Sequence, residues 1–76
     1  MFENIDKVVQ GIKNKEKSLL ATVEIYFGND GDCWATIQVE NDGHFVKMEA
    51  ETDFFPTVGG AMAALDKLCE IKLKNG

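Results

Sequence analysis

Two loops constrain this chain more than any other feature. Residues 19–27, 33–40 and 44–51 each alternate apolar and polar side chains with the period of a strand. In the first run Leu19, Ala21, Val23, Ile25 and Phe27 oppose Leu20, Thr22, Glu24 and Tyr26. In the second, Cys33, Ala35, Ile37 and Val39 oppose Trp34, Thr36, Gln38 and Glu40; in the third, Val46, Met48 and Ala50 oppose Phe45, Lys47, Glu49 and Glu51. A one-residue slip in pairing turns every side chain of a strand to the other face, so each loop length must agree with these faces. Asp42-Gly43 is a two-residue type I′ signal. It predicts Val39 opposite Val46, Ile37 opposite Met48 and Ala35 opposite Ala50. On the other face it predicts the pairs Glu40–Phe45, Gln38–Lys47 and Thr36–Glu49. A three-residue loop there would set Ile37 against Lys47 and is rejected. Asn29-Asp30-Gly31 predicts a three-residue loop, with Phe27 opposite Cys33, Ile25 opposite Ala35, and Gly31 in the left-handed bulge position. Both turns select one inward face, and the expectation is a three-stranded antiparallel meander.

Helical spacing flanks the strands. Phe2, Ile5, Val8, Val9 and Ile12 share one face of a first helix. Asn4 is its expected N-cap, Asp6 and Lys13 with Lys15 suit the helix dipole, and Gly11 offers a close approach to the sheet. Val58, Ala61, Met62, Leu65, Leu68 and Cys69 form the apolar face of a last helix. Pro56 suits its first turn, Thr57 its cap, and Gly59-Gly60 a close packing contact. Phe54 and Phe55 are expected to pin the loop and helix entry to the core, with exposure of one of the two as the alternative. The predicted fold is α+β, helix-strand-strand-strand-helix, with both helices packed on one sheet face and residues 1–76 forming a single domain.

The excess charge sits on the hairpins. Eight Lys and no Arg stand against thirteen Asp plus Glu, for a net charge of −5. Residues 28–53 set Asp30, Asp32, Glu40, Asp42, Glu49, Glu51 and Asp53 against Lys47 alone, a net of −6, while the flanking thirds are close to neutral. Such a block speaks to partners rather than to fold. No apolar run is long enough to cross a bilayer and no leader is read, so a soluble, cytoplasmic protein without membrane contact is expected.

No catalytic or metal constellation is evident, and neither an enzyme nor a cofactor is expected. Ser18 is the only serine and His44 the only histidine, and they lie before the first strand and at the start of the third. Cys33 and Cys69 fall on inward faces and read as buried thiols. Asn29-Asp30-Gly31-Asp32 lacks the spacing and closing Glu of a calcium loop. Gly59-Gly60 lacks the Lys and Ser/Thr of a phosphate loop.

The sheet face opposite the helices has nothing left in the chain to cover it. It is expected to present Tyr26, Trp34 and Phe45 beside Glu24, Glu40, Glu49 and Glu51, with Lys47 the only cation. Aromatics on a bare sheet can stack bases, but phosphates need cations, so direct nucleic-acid binding is disfavoured. A basic protein partner fits better, with aromatic anchors. Asp30, Asp32, Asn41, Asp42 and Gly43 extend the candidate surface onto the turns. The competing reading is a solvated hairpin in which Trp34 and Phe45 pack diagonally. A second alternative is a structural or regulatory module, monomeric or homodimeric, since the first and third strands are both sheet edges.

Two resemblances bear on function. The element order is similar to that of double-stranded-RNA-binding domains. That family grips phosphates with lysines at the start of its last helix, whereas Val58-Gly59-Gly60-Ala61 stands here and no cation follows until Lys67. The Ile5 to Lys17 stretch, with Ile12-Lys13-Asn14-Lys15, and the Val39-Glu40-Asn41-Asp42-Gly43 turn resemble small acidic phage-encoded anti-CRISPR proteins. The resemblance implies an inhibitor whose acidic hairpins imitate DNA phosphates and fill the basic, PAM-reading cleft of an RNA-guided nuclease. Asn41, Asp42 and Gly43 are the matching positions. The acidic C-terminal helix of that group is replaced by one ending in Lys72 and Lys74.

Overall fold

The computed structural model describes residues 2–76. Helix α1 (Glu3–Lys15) is followed by strands β1 (Leu19–Phe27), β2 (Cys33–Asn41) and β3 (His44–Glu51), and helix α2 (Val58–Asn75) closes the chain. The strands form one antiparallel sheet in the order β1-β2-β3. This is the expected α+β architecture. No helix among the described residues is long and apolar enough to cross a membrane.

The first hairpin has the expected register along its whole length, from Phe27↔Cys33 to Leu19↔Asn41. Gly28 N–H donates to the Asp32 carbonyl at 2.7 Å, and Gly31 takes φ +90°. That conformation is cheap only for a residue without Cβ.

The second hairpin keeps its predicted turn and loses its predicted register. Asp42 and Gly43 have φ +53° and +79°, as a type I′ turn needs. Asn41↔His44 and Glu40↔Phe45 pair next to it. Two irregularities then intervene, and the pairs become Val39↔Lys47, Gln38↔Met48, Ile37↔Ala50 and Thr36↔Glu51. Each bulge adds a residue to β3 and re-aims the side chains beyond it. Lys47 therefore shares the inner face with Val39, and Met48 shares the outer face with Gln38. Val46 and Met48 are exposed, at 49% and 41%, rather than inward. The physical reason lies on the helix side. The Glu49 carboxylate sits between Lys47 Nζ and Lys72 Nζ, each at 3.2 Å, and a regular strand would hold it on the opposite face.

Beyond β3 the chain still runs beside β2. Thr52 N–H donates to the Ala35 carbonyl, and Ala35 N–H donates to Thr52 Oγ1, both at 3.0 Å. Cys33 and Phe55 exchange backbone bonds at 2.8 and 2.7 Å. The core gathers Cys33, Ala35, Ile37 and Ala50 under Ile5 and Val8 of α1 and Ala61, Leu65 and Cys69 of α2. Phe55 packs against it. Phe54 does not, and is 66% exposed. Helix cover of β1 is partial: Ala21 and Ile25 pack against the core, whereas Val23 and Phe27, on the same inner face by register, are 39% and 69% exposed. Val58, expected on the apolar face of α2, is 42% exposed.

The helix ends hold two corrections. Thr57 caps α2, its Oγ1 accepting from Gly60 N–H at 3.0 Å, and Pro56 precedes this cap instead of standing in the first turn. A Cβ on Gly60 would lie 3.1 Å from that hydroxyl, so Gly60 is a close-approach glycine. Asn4 is not the cap of α1; it lies inside the helix. The carboxylate that closes the open amides comes from α2. Asp66 Oδ1 accepts from the N–H groups of Asn4 and Ile5, and Asp66 Oδ2 accepts from Asn4 Nδ2, all at 3.0 Å. One side chain thus satisfies unpaired donors of α1, places negative charge at its positive end, and ties the helices together.

Burial pushes the Asp66 carboxyl up, but its hydrogen bonds from Ile5 and Asn4 win, holding it below the ordinary aspartate value. A depressed native pKa contributes stability above the unfolded value, lost as pH falls through the native one. Asp66→Asn should cost about 1 kcal/mol at pH 7 by chemical denaturation. The difference from the parent should shrink as pH falls below about 4 and close once the native carboxyl is protonated. An equal cost at both pH values would exclude charge as the source.

Gly11 makes no close approach, since a Cβ there would meet nothing within 4 Å. Gly11→Ala should therefore raise stability by about 1 kcal/mol, visible as a higher unfolding midpoint; an unchanged or lower midpoint would contradict an open site.

Candidate functional site

The outer face of the sheet is bare, and its residues stand in rows set by the register. Leu20, Glu40 and Phe45 form one end row, followed by Thr22–Gln38–Met48 and then Glu24–Thr36–Glu51. Tyr26 and Trp34 form the last row. The two ends differ. At one, the Tyr26 and Trp34 rings stack with centroids 5.4 Å apart, and Phe54 meets Trp34 edge-on at 5.0 Å. At the other, Leu20, Phe45 and Met48 are exposed, at 58%, 61% and 41%. Trp34 and Phe45 do not pack diagonally: Phe45 opposes Glu40, six residues from Trp34 along β2 and so about 20 Å away.

A hydrogen-bonded strip joins the two ends. Tyr26 Oη donates to Glu24 Oε1 at 3.1 Å and accepts from Gln38 Nε2 at 2.6 Å. Gln38 Nε2 also reaches Thr36 Oγ1 at 3.2 Å, and Thr22 Oγ1 donates to Glu24 Oε2 at 3.3 Å. Thr36 is buried beneath its neighbours. These bonds hold Tyr26 and Glu24 in place before any partner arrives.

The charge on this face has one sign. Glu24, Glu40 and Glu51 lie on it by register. Glu51 and Asp53 line a shallow recess with Trp34 and Phe54. In the first turn Asp32 accepts from Gly28, and both Asp30 Oδ1 and Trp34 come within 4 Å of the space beside Gly28. Asp30 and Asp32 therefore adjoin the aromatic end. Asn41, Asp42 and Gly43 form the other tip, next to Phe45. Lys47 and Glu49, both expected on this face, point to the helix side instead. Their departure removes one carboxylate and the only cation, so no lysine stands at an outer position of the sheet.

Lysines collect on the opposite side. A cleft of about 630 Å³ between the helices is bordered by Lys7, Lys15, Lys47 and Lys72, with Glu16 and Glu49 among them. Burial pushes Glu49 up, yet hydrogen bonds and charge from Lys47 and Lys72 outweigh it, and its carboxyl is held below the ordinary glutamate value. Glu49 therefore stays ionised and offsets one of the two positive charges nearest it.

Other candidates form no site. Ser18 Oγ donates to Glu16 Oε1 at 3.2 Å. His44 lies at the same sheet end, but β2 stands between them, a separation of about 10 Å. Cys33 and Cys69 are free and buried. Burial first, then Asp66 and Glu49, pushes the Cys69 thiol up to about 11, which leaves it protonated and unreactive. Among the described residues no three His, Cys, Asp or Glu side chains are grouped as metal ligands would be.

Phe54, Leu20 and Met48 were not among the expected surface residues. Phe54 was legible, because adjacent residues of an extended segment take opposite faces, and Phe55 fills the inner one. Met48 reached the face only through the bulges, which no local sequence signal announces. No protein-family model matches the chain, and neither a curated protein nor a solved structure matches it.

Trp34 is the only tryptophan, so its fluorescence reports the aromatic end alone. At low salt, caesium should quench it about two-fold more effectively than iodide, each relative to free tryptophan amide. Near 1 M salt, where the screening length is about 3 Å, the difference should close. Equal quenching by both ions at low salt would show that the carboxylates do not set the potential there.

Proposed function

We propose that the chain is a non-enzymatic inhibitor whose outer sheet face and hairpin tips occupy a basic, nucleic-acid-binding site on another protein. The observation that carries this reading is the absence of any lysine from a face that keeps Glu24, Glu40 and Glu51 beside exposed aromatic and aliphatic side chains. Charge of one sign steers a basic partner during encounter. Tyr26, Trp34, Phe45 and Phe54 supply apolar anchors of the kind that dominate binding energy. Phosphate recognition would need the reverse charge, so the face fits the protein that holds nucleic acid rather than nucleic acid itself. The resemblance of the Val39–Gly43 turn to anti-CRISPR proteins suggests the partner class, an RNA-guided nuclease with a basic duplex-reading cleft. A phage or mobile-element origin and action in the host cytoplasm belong to the same proposal.

Binding to a guide-loaded RNA-guided nuclease, titrated over a salt series, tests this reading. Glu40→Lys and Glu51→Lys should each weaken affinity by about tenfold, and more at low salt. Glu16→Lys, on the helix side, should leave it unchanged. Affinity indifferent to salt and to both outer-face substitutions would refute the proposal.

A further inference from the structure

β1 is an edge with almost none of the devices that keep edges from pairing. Its nine residues run without a bulge. No strand lies on its outer side. Among the described residues, its one backbone hydrogen bond outside the ladder with β2 joins Leu19 N–H to the Glu16 carbonyl at the very start. It holds no proline and no lysine, and Glu24 is its only charge. Leu20, Val23 and Phe27 are exposed along it. The other edge is defended, since β3 carries two bulges, bears Lys47, and is followed by a segment that clings to β2. Unpaired backbone groups on a long apolar edge are a template for another strand.

The sequence of β1 selects that strand. Two copies paired antiparallel must be related by a two-fold axis normal to the sheet, which keeps inner faces together and requires a residue to face its own copy. An axis at Val23 pairs the whole of β1. Leu19 then meets Phe27 of the second copy, Ala21 meets Ile25, and Val23 meets Val23. On the outer face Leu20 meets Tyr26, and Thr22 meets Glu24. Every inner pair is apolar, and each glutamate faces a hydroxyl. An axis at Glu24 would oppose two carboxylates, and one at Thr22 would set Tyr26 and Phe27 against Ser18 and Lys17.

We infer that β1 pairs with β1 of a second copy, in register about Val23, to form a six-stranded sheet with all four helices on one side. The two outer faces then become one continuous acidic surface.

Sedimentation equilibrium of the full chain should show a reversible monomer–dimer system between about 1 µM and 1 mM. Val23→Lys sets like charges on the axis at a position already 39% exposed, so the monomer should fold while dimer affinity falls at least tenfold. Mild oxidation of Val23→Cys should give a disulfide-linked dimer. Ala21→Cys and Ile25→Cys should cross-link as a mixture and not singly. A strictly monomeric chain at 1 mM, or a dimer unaffected by Val23→Lys and cross-linked equally well through Phe45→Cys, would overturn the inference. Mass and cross-linking are read without any partner, so this result stands apart from the nuclease titration.

Discussion

Ile37 has no accessible surface, and the structure is arranged around keeping it so. It stands on the central strand between Val23 and Ala50, flanked along β2 by Ala35 and Val39, which are equally buried. Only α1 and α2 are available to cover this row. Each has a single apolar face, so together they close one side of the sheet and leave the other to water. Asp66 makes that cover one unit by accepting the first amides of α1 from the body of α2. Without a carboxylate there, α1 would present unpaired amides at its start, and its docking would rest on side-chain packing alone. The bare outer face therefore follows from where the helices are tied.

The bulges in β3 arise from the same economy. The last turn of α2 brings Lys72 over the sheet, and a regular β3 would answer it with Met48 and Val46. Two extra residues bring Lys47 and Glu49 to that side instead, forming a compact Lys47–Glu49–Lys72 cluster at the rim of the core. Glu49 is well covered, and partly buried ion pairs gain from reduced screening what they lose in hydration. The second effect is on charge. With Lys47 turned away, lysines lie toward the helices and carboxylates dominate the outer face, so a modest net charge becomes a strongly dipolar molecule.

Much of this was legible in the chain itself. The turns were, because Asp42-Gly43 and Asn29-Asp30-Gly31 have local chemistry that tertiary contacts seldom override. The element order was, because helical and strand periodicity are separable over nine or more residues. The register beyond Phe45 was not. Alternation in β3 is equally good for either assignment, and the choice depends on Lys72, more than twenty residues away in sequence. The cap of α1 was not either, since Asn4 offers a plausible local acceptor while Asp66 wins through an ionised carboxylate from a distant element. Of the expected surface, Glu24, Tyr26, Trp34, Glu40, Phe45 and Glu51 share the outer face and the two tips adjoin it. Glu49 was misplaced by the same shift that moved Lys47.

The bare face and the bare edge are unsatisfied in different ways. The face leaves side chains in water, where carboxylates are at no disadvantage and the Gln38–Tyr26–Glu24 bonds already hold the surface in shape. The edge leaves backbone groups in water beside apolar side chains, and water satisfies the first but not the second. A partner for the face must therefore bring positive charge, whereas a partner for the edge must bring a strand with a matching apolar pattern. β1 meets the second condition by itself, whereas the first calls for a partner richer in positive charge than the helix layer, whose cleft sets Lys7, Lys15, Lys47 and Lys72 against Glu16 and Glu49. The two surfaces thus call for different partners. Because pairing of β1 keeps the helices on one side, filling the edge would leave the acidic face open and enlarge it.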